Sequence, residues 1–113
     1  MAETRAALRR HGAWAALAIG MLVPCAARPA EPATHLITME NMQFSPPLRS
    51  VRVGDRVVWT NRDLVAHTAT AAQRFDSRSV APNASWTFVA REPGRIDYVC
   101  TFHPTMKGSL VVE

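Results

Sequence analysis

From His35 onward, apolar residues recur at every second position in short runs, and each run is cut by a Gly, Pro, Asn or Asp turn signal. A period of two belongs to β-strands, whose side chains alternate between two faces. His35 to Met39 reads as a first strand. Asn41 to Pro47 carries Phe44 and two prolines and reads as a loop or irregular edge. Arg49 to Val53, Arg56 to Asn61, Ala66 to Ala71, Ser85 to Ala90, Arg95 to Cys100 and Gly108 to Val112 follow as strands. Phe75 to Val80 is ambiguous. Gly54-Asp55, Pro82-Asn83 and Glu92-Pro93-Gly94 are turns. No run after residue 30 has a helical period. The expected fold is all-β, a Greek-key β-sandwich of seven to eight strands. Trp59, Trp86, Phe88, Ile96 and Tyr98 are its expected inter-sheet core, with Met39 in the core and Met42 on a loop.

The first thirty residues do not share this pattern. Arg5, Arg9 and Arg10 form a positive start, Gly12 to Val23 is an apolar run, and Ala26, Ala27 and Ala30 are small. That order is expected of a secretory signal peptide over 1–30, cleaved after Ala27 or Ala30, leaving a domain over 31–113. The apolar run is short for a membrane span. Arg9-Arg10 leaves a twin-arginine route open, and Cys25 leaves a lipoprotein anchor open, although Pro24 just before it argues against that.

Charge and cysteine usage change once the leader is set aside. The whole chain carries +4, but from Glu31 onward nine Lys and Arg face eight Asp and Glu, a net +1. A nearly neutral domain gives no reason to expect nucleic acid as a partner. Cys100 is then the one cysteine, so it is a free thiol or a metal ligand. A domain of this size buries roughly 60% of its unfolded surface, and a bound metal would add stability.

The second reading of Cys100 gains weight from its neighbours. Tyr98-Val99-Cys100-Thr101-Phe102-His103-Pro104-Thr105-Met106 supplies a thiolate, an imidazole and a thioether within seven residues. His67, between two strand-like runs, can supply a second imidazole. Alone, such a Cys or Met is usually core filler, and such a His is usually a surface or capping residue. Together, His67, Cys100, His103 and Met106 make the His2Cys set with a weak axial Met that characterises a mononuclear blue-copper site. One copper per chain, cycling between Cu(I) and Cu(II), is the expected cofactor. Zinc also suits Cys and His, but Met is a poor ligand for it. Asn61 and Thr68 are expected to hold the ligand loops, Pro104 to limit the N–H groups near the thiolate, and Gly108 to turn the chain into the last strand. His35 has no soft partner nearby and reads as a plain strand opener.

The segment Gly54 to Asn61, His67, Pro93-Gly94 and Tyr98 to Gly108 together resemble the cupredoxins, the small type 1 blue-copper family. The Cys-x2-His-x2-Met spacing is similar to the short ligand loop of their amicyanin-like members. The resemblance spans nearly all of residues 31–113. It implies that His67, Cys100, His103 and Met106 are the copper ligands, and that the role is electron transfer in the periplasm. Two positions depart from the pattern: Phe102 stands where Pro usually precedes the second His, and Thr68 where Asn often follows the first.

The expected function is therefore a one-electron carrier between redox proteins, such as a c-type cytochrome, exchanging electrons through the His103 edge. The chain shows no acid–base or nucleophile constellation, so no enzyme activity is expected, nor is stable membrane insertion, and a monomer is. A copper-delivery protein using the same ligands is the alternative, and a metal-free interaction module a third reading.

Overall fold

The computed structural model describes residues 6, 7, 9, 11–28 and 30–113. Of the positive start of the expected leader, Arg5 and Arg10 lie outside the described residues. Residues 11–28 form neither helix nor strand and are exposed, including Trp14, Leu17 and Leu22. Among the described residues, no helix is long and apolar enough to cross a membrane.

Nine strands follow: β1 (Thr34–Glu40), β2 (Gln43–Ser45), β3 (Leu48–Val51), β4 (Arg56–Asn61), β5 (Thr70–Ala71), β6 (Phe75–Asp76), β7 (Ser85–Val89), β8 (Gly94–Val99) and β9 (Lys107–Val112). They form two sheets, ordered β2-β1-β4-β7 and β3-β9-β8-β5-β6. In each sheet one pair is parallel, β1 with β4 and β3 with β9, and the rest are antiparallel. The chain changes sheet repeatedly, as in a Greek-key sandwich.

Nine strands exceed the seven to eight expected, because three of them are too short to leave a period in the sequence. β2 holds only Phe44 against the core. β5 and β6 have two residues each. The Ala66–Ala71 run is the main correction. Only its last two residues join a ladder, and His67 makes an isolated bridge to Val80. Its other backbone groups bond elsewhere: Thr68 N–H points at Cys100 Sγ, and Ala69 N–H donates to Ser77 Oγ at 2.7 Å. The Thr- and Ala-rich run reads as a strand, but tertiary partners take its hydrogen bonds.

β4 shows why the alternation works. Val57, Trp59 and Asn61 point inward and are buried, while Val58 and Thr60 are only partly covered. Trp59 is fully buried and meets Tyr98 edge-on at 5.3 Å, and Tyr98 meets Phe44 edge-on at 4.7 Å. Ile37, Met39, Val51, Met106, Leu110 and Val112 complete this core with Ile96. Trp86 and Phe88 are only partly buried, on the flank around Phe75. Met42 is exposed, as its loop position suggested.

Tyr98 and Gly108 are register partners across β8 and β9. A Cβ on Gly108 would overlap the Tyr98 ring. Gly108 is therefore inside a strand, not at a turn, and its missing side chain makes room for the aromatic ring. Burial pushes the Tyr98 hydroxyl pKa up to about 12.

Candidate metal centre

β8 and β9 form a hairpin whose connection runs from Cys100 to Met106. The connection is bonded to itself. His103 N–H donates to Cys100 O at 3.2 Å, Met106 N–H to His103 O at 2.9 Å, and Cys100 N–H to Met106 O at 3.1 Å. These are two successive four-residue turns closed by a strand-like bond. Pro104 occupies the second position of the second turn, where its fixed φ is favoured. Cys100, His103 and Met106 stand three positions apart because each is a turn end.

The other half of the site comes from the segment after β4. Asn61 is fully buried, and its Nδ2 donates to Val65 O at 2.8 Å and Val80 O at 2.9 Å. Its Oδ1 accepts from Asp63 N–H at 2.9 Å. One amide thus shapes the loop that delivers His67. Thr68 ties that loop to the hairpin: its Oγ1 accepts from Thr101 N–H at 2.8 Å and lies 3.0 Å from Thr101 Oγ1. Both residues hold the ligand segments, as expected, and Thr68 does so with a hydroxyl.

The two halves bring three donors together. His67 Nδ1 and His103 Nδ1 are 3.2 Å apart, and Cys100 Sγ is 3.7 Å from each. Metal–imidazole and metal–thiolate bonds of about 2.0 and 2.3 Å, opened to about 105–120°, span about 3.2–3.5 Å between nitrogens and 3.4–3.7 Å from nitrogen to sulfur. The triangle therefore fits one metal ion bound by all three. His67 and Cys100 are fully buried, and His103 is half-buried. Met106 is buried too, fixed by the loop's own bonds to His103 and Cys100. One soft sulfur and two imidazoles, with a buried methionine at the end of the same loop, suit copper better than zinc. Thr68 N–H lies 3.3 Å from Cys100 Sγ, a donor to the thiolate from outside the ligand loop. Among the described residues no other group of three metal-binding side chains converges.

Residues 12–112 match the family described as the cupredoxin-like domain. The chain belongs to the cupredoxin-like family. Its relatives include amicyanin-alpha of Methylorubrum extorquens, 32% identical over 96% of this chain and 94% of that one. Amicyanin of Paracoccus denitrificans is 34% identical over 94% and 88% of the two chains. Among solved structures, an amicyanin variant in its Cu(I) form superposes with a TM-score of 0.68 at 27% identity, over 71% of this chain and 82% of that one. The oxidized state of another amicyanin variant gives 0.68 at 28%, with the same coverage.

One residue of this cupredoxin's site escaped the sequence reading. Asp63 Oδ2 lies 2.7 Å from His67 Nε2, the ring nitrogen facing away from the donor triangle. Burial alone would raise the Asp63 pKa. Hydrogen bonds from Met42 N–H, His67 and Asn41 N–H outweigh it and hold the carboxyl below its ordinary value. The available signal was an acid four residues before the isolated His, within one short loop.

Phe102 and Pro104, the chain neighbours of His103, form an exposed apolar patch, with Phe102 showing 52% of its surface, and Leu64 and Val65 are exposed in the segment before His67. Met106 does not contribute to this patch, because it is buried beneath the loop.

Proposed function

We propose that this cupredoxin is an exported electron carrier that holds one copper through His67, Cys100, His103 and Met106 and passes single electrons to a redox protein. The observation that carries the reading is the Nδ1, Nδ1, Sγ triangle with edges of 3.2, 3.7 and 3.7 Å. Bound copper supplies a Cu(I)/Cu(II) couple, which suits one-electron exchange. The chain's part is to keep the ligands still. His67 is held by its bridge to Val80 and by Asp63, Cys100 by β8, and His103 and Met106 by the double turn. Ligands fixed in this way move little between oxidation states. Burial of His67, Cys100 and Met106 excludes water and leaves no open route for a substrate. A carrier role follows, without catalysis. The same closure disfavours copper delivery, which needs ligands a partner can reach.

Electrons leave through the half-buried His103, beside the exposed Phe102 and Pro104 of its own loop. A small apolar contact suits brief docking to a protein such as a c-type cytochrome. The amicyanins with which this chain aligns along nearly its whole length support the reading. Residues 1–30 are read as a leader removed on export to the periplasm, on the Arg, apolar and small-residue order. Mass spectrometry of the exported protein checks this, and an intact Met1 counts against it.

The deciding experiment is a visible and EPR spectrum of the copper-loaded protein. An intense thiolate charge-transfer band with narrow copper hyperfine splitting is expected. A colourless protein with ordinary tetragonal copper EPR sinks the proposal.

A further inference from the structure

We propose that Asp63 is the positioning residue of this metal centre: its carboxylate fixes His67 with Nε2 protonated and Nδ1 free to bind, and it biases the site toward Cu(II). The inference rests on the copper reading above and names a residue outside the ligand set.

Three N–H groups converge on this one carboxylate. Oδ1 accepts from Asn41 N–H at 2.7 Å, and Oδ2 accepts from Met42 N–H at 3.0 Å and meets His67 Nε2 at 2.7 Å. Asn41 and Met42 form the turn between β1 and β2. Both hold positive φ, 54° and 59°, which non-glycine residues adopt at a cost. Asp63 is itself held, because its N–H donates to the buried Asn61. The carboxylate therefore stands between a strained turn and a metal-facing imidazole, with little freedom to move away from either.

The contact has two consequences for His67. A carboxylate only accepts hydrogen bonds, so the 2.7 Å contact requires the proton on Nε2. Nδ1 then presents its lone pair to the donor triangle, and His103 is the donor across the 3.2 Å Nδ1–Nδ1 contact when no metal is present. In addition, a carboxylate on the far nitrogen raises the basicity of the bound nitrogen and places a negative charge one ring away from the metal. Cu(II) carries one more positive charge than Cu(I), so it gains more from that charge.

The test compares wild-type protein with Asp63→Asn, which keeps the side-chain shape and removes the charge. In metal-free wild type, nitrogen-15 NMR of the imidazoles should show His67 protonated on Nε2; protonation on Nδ1 overturns the positioning claim. In the copper-loaded variant, Cu(II) affinity should fall about 10–100-fold, and Cu(I) affinity less. Each tenfold difference between the two corresponds to a midpoint potential higher by about 59 mV. Asp63→Glu, which retains the charge, should restore most of the lost potential difference. If Asp63→Asn melts earlier but keeps the wild-type potential, Asp63 only holds the turn and the proposal is wrong. If Asp63→Asn does not fold, the wild-type tautomer and the Asp63→Glu potential decide: an Nδ1-protonated His67, or a Glu variant with the charge intact but a potential raised by 59 mV or more, overturns it. A wild-type protein that forms no blue-copper spectrum refutes the copper reading instead, while the metal-free tautomer still decides the positioning claim.

Discussion

The two ends of β4 are each flanked by an aspartate paired with a histidine, and the pairs end up in different chemistry. Asp55, just before the strand, lies 2.8 Å from His35 Nε2. Asp63, just after it, lies 2.7 Å from His67 Nε2. The six residues of β4 separate the two by about 20 Å. Both carboxylates leave Nδ1 free, and what differs is the group that Nδ1 meets. His35 Nδ1 accepts from Arg49 Nε at 3.2 Å, so a cation closes that ring and the pair becomes a staple. His67 Nδ1 faces His103 Nδ1 and Cys100 Sγ, both of them metal-binding atoms. A His–Asp pair is therefore no evidence for a metal site on its own. The group opposite the second nitrogen decides.

The staple end has its own purpose. Asp55 is buried and also accepts from Ala33 N–H and Arg52 N–H, both at 2.9 Å. It thereby fastens the entry to β1 to the Gly54 turn, where φ is 95°. The metal end should thus control spectrum and electron transfer, and the staple end stability alone. Replacing one group at each end gives the largest contrast. Cys100→Ser should abolish the visible copper band completely, since the charge transfer comes from sulfur. His35→Ala should leave that band unchanged and lower unfolding free energy by about 1–3 kcal/mol through the lost hydrogen bonds to charged groups. Absorbance and urea titration check the pair. A blue Ser variant, or a His35→Ala protein with an altered copper spectrum, breaks the comparison.

Docking gives a smaller contrast. Phe102→Glu should leave the spectrum intact and slow bimolecular electron transfer to a cytochrome c by about tenfold or more. Arg52→Glu, an exposed side chain at the staple end, should change the rate little. Stopped-flow traces distinguish them. If the rate ignores Phe102 and responds to Arg52, electrons do not leave beside His103.

These ends were not equally legible in the sequence. Cys100, His103 and Met106 lie within one hairpin connection, so their spacing alone suggested convergence, and the structure brings Cys100 and His103 to 3.7 Å. His67 stands out in the sequence only as an imidazole between two strand-like runs. Asp63 was missed because its partners Asn41 and Met42 are 22 and 21 positions away. His35 reads as an ordinary strand residue because Asp55 is 20 positions distant, and only the parallel pairing of β1 with β4 places them together. The alternating strands were visible where they were long. The segment from His67 to Ala69 was not, since its hydrogen bonds go to Val80, Cys100 and Ser77 and leave no periodic trace.

The smallest expected effect is the acid response of the staple. Hydrogen bonds from Arg52 N–H, His35 and Ala33 N–H hold the Asp55 pKa down to about 2, from an ordinary value of 3.8. A carboxyl whose folded pKa lies below its unfolded pKa binds protons more readily when unfolded. Its contribution is therefore complete above the unfolded value, and it is lost as pH falls from about 4 toward 2. His35 sharpens the assignment, because it is one of the groups that lower this pKa. Urea unfolding of the metal-free protein between pH 5 and 2 should show wild type losing stability across that window. Asp55→Asn should begin less stable and show a shallower loss, since it has no carboxyl there to protonate. Metal-free protein removes ligand release from the measurement, so the difference between the two slopes reports Asp55 alone. Equal slopes would mean that other carboxylates set the acid limit, and that Asp55 holds the β1 entry equally well when protonated.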